Sequence, residues 1–401
     1  MKLNLYIKIS LFNLFIVALL GVLMRYKICF EFPFFDQKNI QHAHAHFAFA
    51  GWISHTIFSL ITFLFIDNEY VKKFEKPILA NLIFAYCMLV SFFVQGYGAV
   101  SIIFSVGSLL SNFYFAIQFF KYFYNIKTNN PAIKWFKSAL IFNLISSIGT
   151  GYLGYMMMSK HIDQKLYLAA VYYYLHFQYN GWFLLSIFGL FVGFLFTQNI
   201  KISDRIPFIL IVGCLIPTYF LSTLWLQLPL WLFLITAIGT IAQTLGWGLF
   251  VKKIFTIRTK IYSKVNYISY YLFVLVAMAM SVKIILQLFS TLPEVSKLAF
   301  GFRPIVIAYL HLVLLGIISI FLIAFILSNN LINFNKYVLY GVLIFVGGII
   351  LNEFVLMIQG VASFSYTSIP YMNITLFIIS IIMLSGILLI LKGIFSKQLK
   401  S

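Results

Sequence analysis

Long apolar runs are the feature that most constrains how this chain can fold. Runs of about 20 apolar residues recur from end to end, and each is long enough to cross a bilayer as an α-helix. Apolar residues make up 62% of the 401 residues and charged residues only 9%, against roughly half and a quarter in soluble domains. A membrane β-barrel would instead show alternating segments of about ten residues. The sequence therefore predicts an all-α, polytopic membrane helix bundle.

Twelve spans are predicted when the chain is cut at charges, prolines and asparagine clusters. The loops are too short to hold a soluble domain, so we expect a single transmembrane domain over residues 1–401. No small-residue cleavage site follows the first apolar run, which is interpreted as a membrane helix and not as a signal peptide. The predicted spans are Leu5–Arg25, His42–Ile66, Pro77–Val100, Ser101–Tyr124, Trp135–Met158, Leu168–Phe196, Ile206–Leu226, Leu228–Val251, Tyr267–Ser290, Pro304–Leu327, Tyr337–Gly360 and Pro370–Phe395.

The charge is strongly basic, with 28 Lys and Arg against 9 Asp and Glu and a formal net charge of +19. The basic residues lie between apolar runs, which is typical of topogenic charges and anionic-lipid contacts; membrane lipid is an expected partner and nucleic acid is not. The two termini and the even-numbered loops hold 20 of these residues, and the odd-numbered loops hold 7. Lys283 is the one that remains, inside a span. The positive-inside rule then predicts that both termini lie in the cytoplasm.

Six of the seven histidines fall in the second, sixth and tenth predicted spans, which all run from the outer face inward. His44 and His46 lie about one turn into their span, and His176 and His311 lie about 10–12 Å into theirs. Polar groups at this depth are costly and usually functional, and imidazole is a common ligand of metals and haem. The layer predicts a haem or metal site, with scattered interhelical hydrogen bonds as the alternative.

The segment HAHAHFAFAGW, His42–Trp52, leaves the ligand in the second span open. At about 100° per residue, His42 and His46 share one helix face, whereas His44 and Gly51 lie on another. His44 and His46 therefore cannot both point at one ligand. Either the His42–His46 pair holds a metal, or one of His44 and His46 is an axial haem ligand and Gly51 leaves space for the macrocycle.

Two further charges lie within or beside the apolar spans. Lys283 in the ninth span and Glu353 in the eleventh are both expected near the outer ends of their helices. They could pair with each other, Lys283 and Arg303 could hold haem propionates, or Lys283 could snorkel to the interface.

The topology and three motifs resemble subunit I of the haem–copper oxidase superfamily, which includes nitric oxide reductases. The motifs are HAHFAFAGW in the second span, LHFQYNGWF in the sixth and AYLHLVLLG in the tenth. The resemblance implies that a histidine of the second span and His311 ligate haem, and that His176 ligates a copper or iron partner metal. It also implies a location in the bacterial inner (cytoplasmic) membrane.

Three departures from the family pattern argue against a complete oxygen-reducing centre. The seventh span contains no histidine, so the partner-metal site lacks two ligands. The tenth span has His311 alone where the family has an HxH pair. Asn180 stands where the oxidases have a tyrosine, and Tyr179 is one residue short. With one imidazole from His176, binding of copper or iron at the second site is expected to be weak.

The expected function is that of a haem-binding membrane protein with one haem held between His311 and either His44 or His46. His176 would be a second-site ligand or a hydrogen-bonding residue. The role would be electron transfer, or binding and reduction of nitric oxide or oxygen, as a candidate haem-dependent oxidoreductase. The sequence has no CxxCH motif, so a partner cytochrome subunit or quinol would supply electrons. The alternatives are a non-haem transporter or channel with an outer His/Tyr site, and a scaffold that has lost its cofactor.

Overall fold

The computed structural model describes residues 2–292, 294–296, 302–364 and 366–396. Three residues used in the topology prediction, Lys297, Lys397 and Lys400, lie outside the described residues. Within the described ranges all regular structure is helical. Eleven of the described helices are long and apolar enough to cross a membrane, and a bent pair of shorter helices makes a twelfth span if counted together. The prediction of a polytopic, all-α membrane protein is confirmed.

We number the spans α1 to α12 along the chain and count the bent pair as α7. A short helix, Arg258–Tyr262, lies between α8 and α9. The spans are α1 (Lys2–Cys29), α2 (Gln37–Phe65), α3 (Asn68–Gln95), α4 (Ala99–Asn125), α5 (Ala132–Ser159), α6 (Gln164–Thr197), α7 (Arg205–Gly213 and Leu215–Leu226, bent by 44°), α8 (Leu230–Thr256), α9 (Tyr267–Phe289), α10 (Arg303–Ser328), α11 (Lys336–Ser363) and α12 (Met372–Phe395).

The predicted start of the third span at Pro77 is wrong. Helix α3 begins at Asn68 and continues through Pro77. Proline removes one backbone donor and usually ends or bends a soluble helix, but membrane helices tolerate it because neighbouring groups satisfy the released carbonyl. The polar first turns of α3 extend the helix beyond its apolar part, which is why an apolar run alone misplaces its start.

The chain forms two compact units. Unit 1 comprises Met1–Tyr122, Phe325–Ala362 and Tyr366–Ser401, and unit 2 comprises Phe123–Ala324 and Ser363–Ser365. The expectation of a single domain over residues 1–401 stays a prediction.

Unit 1 contains a close helix–helix approach at two glycines. A Cβ atom added at Gly341 of α11 would lie 2.7 Å from the carbonyl oxygen of Gly386 on α12. Small residues at such contacts let membrane helices pack backbone to backbone, where dispersion forces and not the hydrophobic effect stabilise association. These two glycines therefore set the spacing of α11 and α12.

Unit 2 contains a partly buried ion pair at the start of α7. The carboxylate of Asp204 accepts a hydrogen bond from Lys134 Nζ at 2.7 Å and another from Trp135 Nε1 at 2.6 Å. Both donors lie in the first turn of α5. The pair joins the starts of these two helices.

The three spans that contain histidine differ from the others in burial and in backbone geometry. The apolar windows of α2, α6 and α10 are 78%, 89% and 72% buried, against at most 44% in the other eight straight spans described. Each of the three contains a π-helical segment, Ala48–Ser54, Phe177–Phe183 or Leu312–Ser319. A π-helical segment interrupts the regular hydrogen-bond ladder and often occurs at functional sites. The backbone thus marks the same three spans as the histidine pattern.

Candidate functional site

A histidine lies one or two residues before each π-helical segment, and a glycine follows that histidine five positions later. The three pairs are His46 and Gly51, His176 and Gly181, and His311 and Gly316. Sequence reasoning treated the three motifs separately and missed this shared spacing. The five-residue spacing between histidine and glycine is visible in the sequence, although this spacing alone does not indicate a π-helical segment.

Two of these glycines make room for phenylalanine rings. A Cβ atom at Gly51 would lie 2.7 Å from the ring of Phe47, and one at Gly181 would lie 2.5 Å from Cβ of Phe142. The expectation that Gly51 leaves space for a macrocycle is therefore corrected, since Phe47 fills that space. Close packing of this kind is the usual reason for a glycine in a membrane helix.

The π-helical segment of α2 is stabilised by two buried asparagines. Asn13 Nδ2 on α1 donates to the carbonyl of Gly51 at 2.6 Å, and Asn81 Nδ2 on α3 donates to the carbonyl of Ala50 at 3.0 Å. Tyr86 Oη in turn donates to Asn13 Oδ1 at 2.7 Å. The carbonyl of Ala50 also accepts from the backbone N–H of His55. The two asparagines therefore add side-chain hydrogen bonds that link α1 and α3 to the π-helical segment of α2.

His44 and His46 bond to different elements. His44 Nδ1 lies 3.0 Å from the carbonyl oxygen of Val17 on α1. His46 Nε2 instead lies 2.9 Å from the hydroxyl of Tyr97 in the turn between α3 and α4. Because a carbonyl can only accept, the Nδ1 of His44 carries the proton and its Nε2 carries the lone pair. This is the tautomer that metal-ligating histidines adopt when a carbonyl orients the ring.

His176 uses both ring nitrogens in hydrogen bonds within unit 2. Its Nε2 donates to the carbonyl of Leu215 at 2.9 Å, and its Nδ1 accepts from Asn180 Nδ2 at 3.1 Å. Leu215 directly follows the break in α7, so the histidine satisfies a carbonyl at that bend. Of the two roles considered for His176, the geometry is that of a hydrogen-bonding residue. A metal at this position would have to displace one of the two bonds.

His311 resembles His44 in its hydrogen bonding. Its Nδ1 donates to the carbonyl of Ile307 one turn earlier on α10, at 2.8 Å. The same reasoning assigns the lone pair to Nε2. Also in unit 2, the rings of Tyr179 and Tyr309 lie edge to face with centroids 6.2 Å apart.

Lys283 is buried in α9, with 2% of its surface exposed. Its Nζ donates to Gln287 Oε1 at 2.6 Å, Gln287 Nε2 donates to Gln243 Oε1 at 2.8 Å, and Gln243 Nε2 donates to the carbonyl of Ile211 at 3.0 Å. In the described part of unit 2, no carboxylate forms an ion pair with Lys283. In this series of hydrogen bonds, the side-chain oxygens of Gln287 and Gln243 both point toward the lysine. Their dipoles therefore favour a positive charge on Lys283. Arg303, the other candidate for holding a propionate, is the exposed first residue of α10.

The glutamines were missed by sequence reasoning. Gln287 follows Lys283 by one helical turn, a spacing at which side chains meet on one face, so this partner was readable from the sequence. Gln243 lies on α8. It reaches Gln287 only because α8 packs against α9.

The remaining histidines have other surroundings. The ring of His55 is fully buried and stacks on Tyr6 with centroids 5.9 Å apart, and neither nitrogen completes a hydrogen bond within the described residues, although the backbone of Tyr6 lies close to the ring. His42 packs edge-on against Tyr97 with centroids 4.5 Å apart. His161 is exposed in a loop, where its Nδ1 bonds to the carbonyl of Ser159.

In the described ranges, no group of three or more His, Cys, Asp or Glu side chains could hold a metal ion. A ligand set for haem needs only one or two imidazoles with the correct nitrogen available. The tautomers of His44 and His311 place the lone pair on Nε2, whereas Nε2 of His176 donates to a carbonyl.

Comparison with models of known families gives no match, and comparison with curated proteins finds no similar sequence. The resemblance to haem–copper oxidase subunit I thus rests on span number and three short motifs, and it stays a prediction.

Proposed function

We propose that this polytopic membrane protein binds haem and acts in electron transfer, with His44 and His311 as the candidate ligands. Binding and reduction of a small diatomic gas is the variant of this role that would need an open axial position on the iron. Electrons would come from a partner cytochrome subunit or from quinol.

The observation that carries the proposal is the shared tautomer of the two histidines. In both rings Nδ1 donates to a backbone carbonyl, that of Val17 for His44 and that of Ile307 for His311. A carbonyl in this position fixes the orientation of the imidazole and makes Nε2 a stronger base toward iron. His46 lacks this arrangement, because the ring nitrogen that contacts the hydroxyl of Tyr97 is its Nε2.

The surroundings of these histidines support the same role. When bound, haem supplies one-electron chemistry. The chain itself orients the imidazoles through the carbonyls of Val17 and Ile307. His311 directly precedes a π-helical segment and His44 lies about one turn before another, in two of the three most buried straight spans described. The ring of His44 packs beside Gly21 of α1. A Cβ atom added at Gly21 would lie 3.7 Å from His44 Cε1, an ordinary van der Waals distance.

A visible absorption spectrum of the detergent-purified protein tests the proposal. We expect a Soret band and, on reduction, sharp α and β bands of low-spin haem. The substitutions His44→Ala and His311→Ala should each remove or shift these bands, whereas His46→Ala and the loop control His161→Ala should leave them unchanged. Protein that is folded but takes up no haem when haem is supplied would overturn the proposal. Loss of the bands in His46→Ala with retention in His44→Ala would reassign the ligand.

A transporter or channel is the second candidate, and one observation favours it. Helix α7 is broken after Gly213 and bent by 44°, and discontinuous helices are typical of transporter binding sites. His176 bonds to the carbonyl of Leu215 at this break. A haem-free spectrum together with solute uptake in proteoliposomes that is lost in His176→Ala would select this function.

A further inference from the structure

We propose a second site at the start of α2, where His42 and His46 together with Tyr97 bind a divalent transition-metal ion. This site does not rest on haem binding, because it uses the face of α2 that His44 does not share.

The two imidazoles converge on the same pair of aromatic rings. His46 stacks on Phe92 with centroids 4.2 Å apart and planes at 10°, and His42 lies edge-on to Tyr97 with centroids 4.5 Å apart. Each histidine also lies near the other aromatic ring. The ring centroids are 5.8 Å apart for His46 and Tyr97, and 6.2 Å apart for His42 and Phe92. Phe92 and Tyr97 pack against each other at 5.0 Å. Two rings one helical turn apart therefore face one small space beside the turn between α3 and α4.

A phenol oxygen already lies at this space. The hydroxyl of Tyr97 is 2.9 Å from His46 Nε2. Tyr97 is held in place by the turn, because Gly96 adopts φ of +62°, a backbone conformation that side chains rarely permit. A Cβ atom at Gly96 would also lie 2.3 Å from Asn39 Oδ1 of α2. The turn and the start of α2 are thus packed too closely for Tyr97 to move far.

The donor set determines the class of ligand. Two imidazoles at i and i+4 on one helix face form a bidentate site for zinc and for other divalent ions. Imidazole nitrogen and phenol oxygen suit Cu²⁺ and Zn²⁺, and Cu²⁺ binds such donors tightest among the divalent first-row metals. The metal would take the Nε2 lone pair of His46 in place of its contact with the Tyr97 hydroxyl, and Tyr97 would remain beside the ion as a ligand or a hydrogen-bonding group.

The consequence of binding is a link between α2 and the turn that joins α3 to α4. Both histidines are partly exposed, so the ion can enter from the surface. An ion held there stabilises the folded chain by mass action, because the site does not exist in the unfolded state.

Copper binding to the purified, full-length chain with any affinity tag removed tests the site. We expect one Cu²⁺ per chain, with nitrogen hyperfine splitting in its electron paramagnetic resonance spectrum. His42→Ala and His46→Ala should each weaken Cu²⁺ binding by at least about tenfold, and Tyr97→Phe should weaken it by about tenfold, as loss of groups around a metal typically does. His44→Ala on the opposite face and His161→Ala in a loop are matched controls that should bind normally. Zn²⁺ should raise the unfolding temperature of the wild type and not that of His42→Ala.

Undiminished Cu²⁺ affinity in both His42→Ala and His46→Ala would overturn the proposal, as would loss of binding in His161→Ala. If His46→Ala does not yield folded protein, the partly exposed His42→Gln decides the question. The haem spectrum separates the two proposals. His42→Ala should lose Cu²⁺ and keep haem, and His44→Ala should do the reverse. Protein that takes up no haem but binds Cu²⁺ through His42 would overturn the proposed function and support this metal site.

Discussion

The side-chain amide of Asn13 donates to the backbone carbonyl of Gly51 at 2.6 Å and thereby links α1 to the π-helical segment of α2. Asn13 is fully buried, so no solvent water substitutes for it. The bond explains why a polar side chain is retained in the middle of the first apolar run.

Replacement of Asn13 by leucine should destabilise the protein. The carbonyl of Gly51 would lose its donor and Tyr86 Oη would lose its acceptor, and an unpaired buried polar group costs about 1–3 kcal/mol. Unfolding in mixed detergent micelles measures the change. Asn4→Leu is the control, because Asn4 lies on the same helix and is exposed. Equal stability of the two variants would show that the Asn13 bond contributes nothing.

Replacement of Gly341 by alanine should separate α11 from α12. The new methyl group would lie 2.7 Å from the carbonyl oxygen of Gly386, a backbone atom that cannot move aside, and overpacking of this kind costs about 1–3 kcal/mol. Gly347→Ala on the same helix meets nothing within 4 Å and should be neutral or slightly stabilising, since alanine favours helix. Thermal unfolding in detergent compares the two. A stable Gly341→Ala variant would mean that α11 and α12 can part without cost.

Replacement of Gln287 by leucine should leave Lys283 without its described acceptor. A buried charge that loses its partner is strongly destabilising, whereas an apolar substitution of both groups can restore stability. We therefore expect Gln287→Leu to lose about 2 kcal/mol or more, and the double variant Lys283→Met with Gln287→Leu to recover much of that loss. A double-mutant cycle of unfolding free energies measures the coupling. Additive losses would show that the two side chains do not act as a pair.

Both termini should lie in the cytoplasm if the charge asymmetry of 20 to 7 orients the chain. A reporter that is active only in the cytoplasm should therefore function when fused after Lys400. The same reporter inserted beside His161, in the loop between α5 and α6, should be silent. The reverse pattern would place the histidine-bearing ends of α2, α6 and α10 on the opposite side of the membrane.

The histidine positions in the sequence indicated which spans are the most buried. The positions of His46, His176 and His311 marked α2, α6 and α10, and these helices are the most buried straight spans described. The choice between His44 and His46 stayed open, because a helical wheel gives the angle between two side chains and not their partners. The contacts with Val17 and with Tyr97 distinguish the two, and both partners lie on other helices or turns.

The many membrane-crossing helices of this chain follow from its sequence alone, because apolar length and backbone hydrogen bonding are local properties that lipid enforces on each segment. The sequence also determined which spans carry imidazoles and at what depth from the span ends. Three features appear only in the folded chain: the continuation of α3 through Pro77, the asparagine bonds to the π-helical segment of α2, and the partners of both His176 nitrogens. Each of these depends on which face of one helix meets another, and that choice is made by packing between residues far apart in the chain.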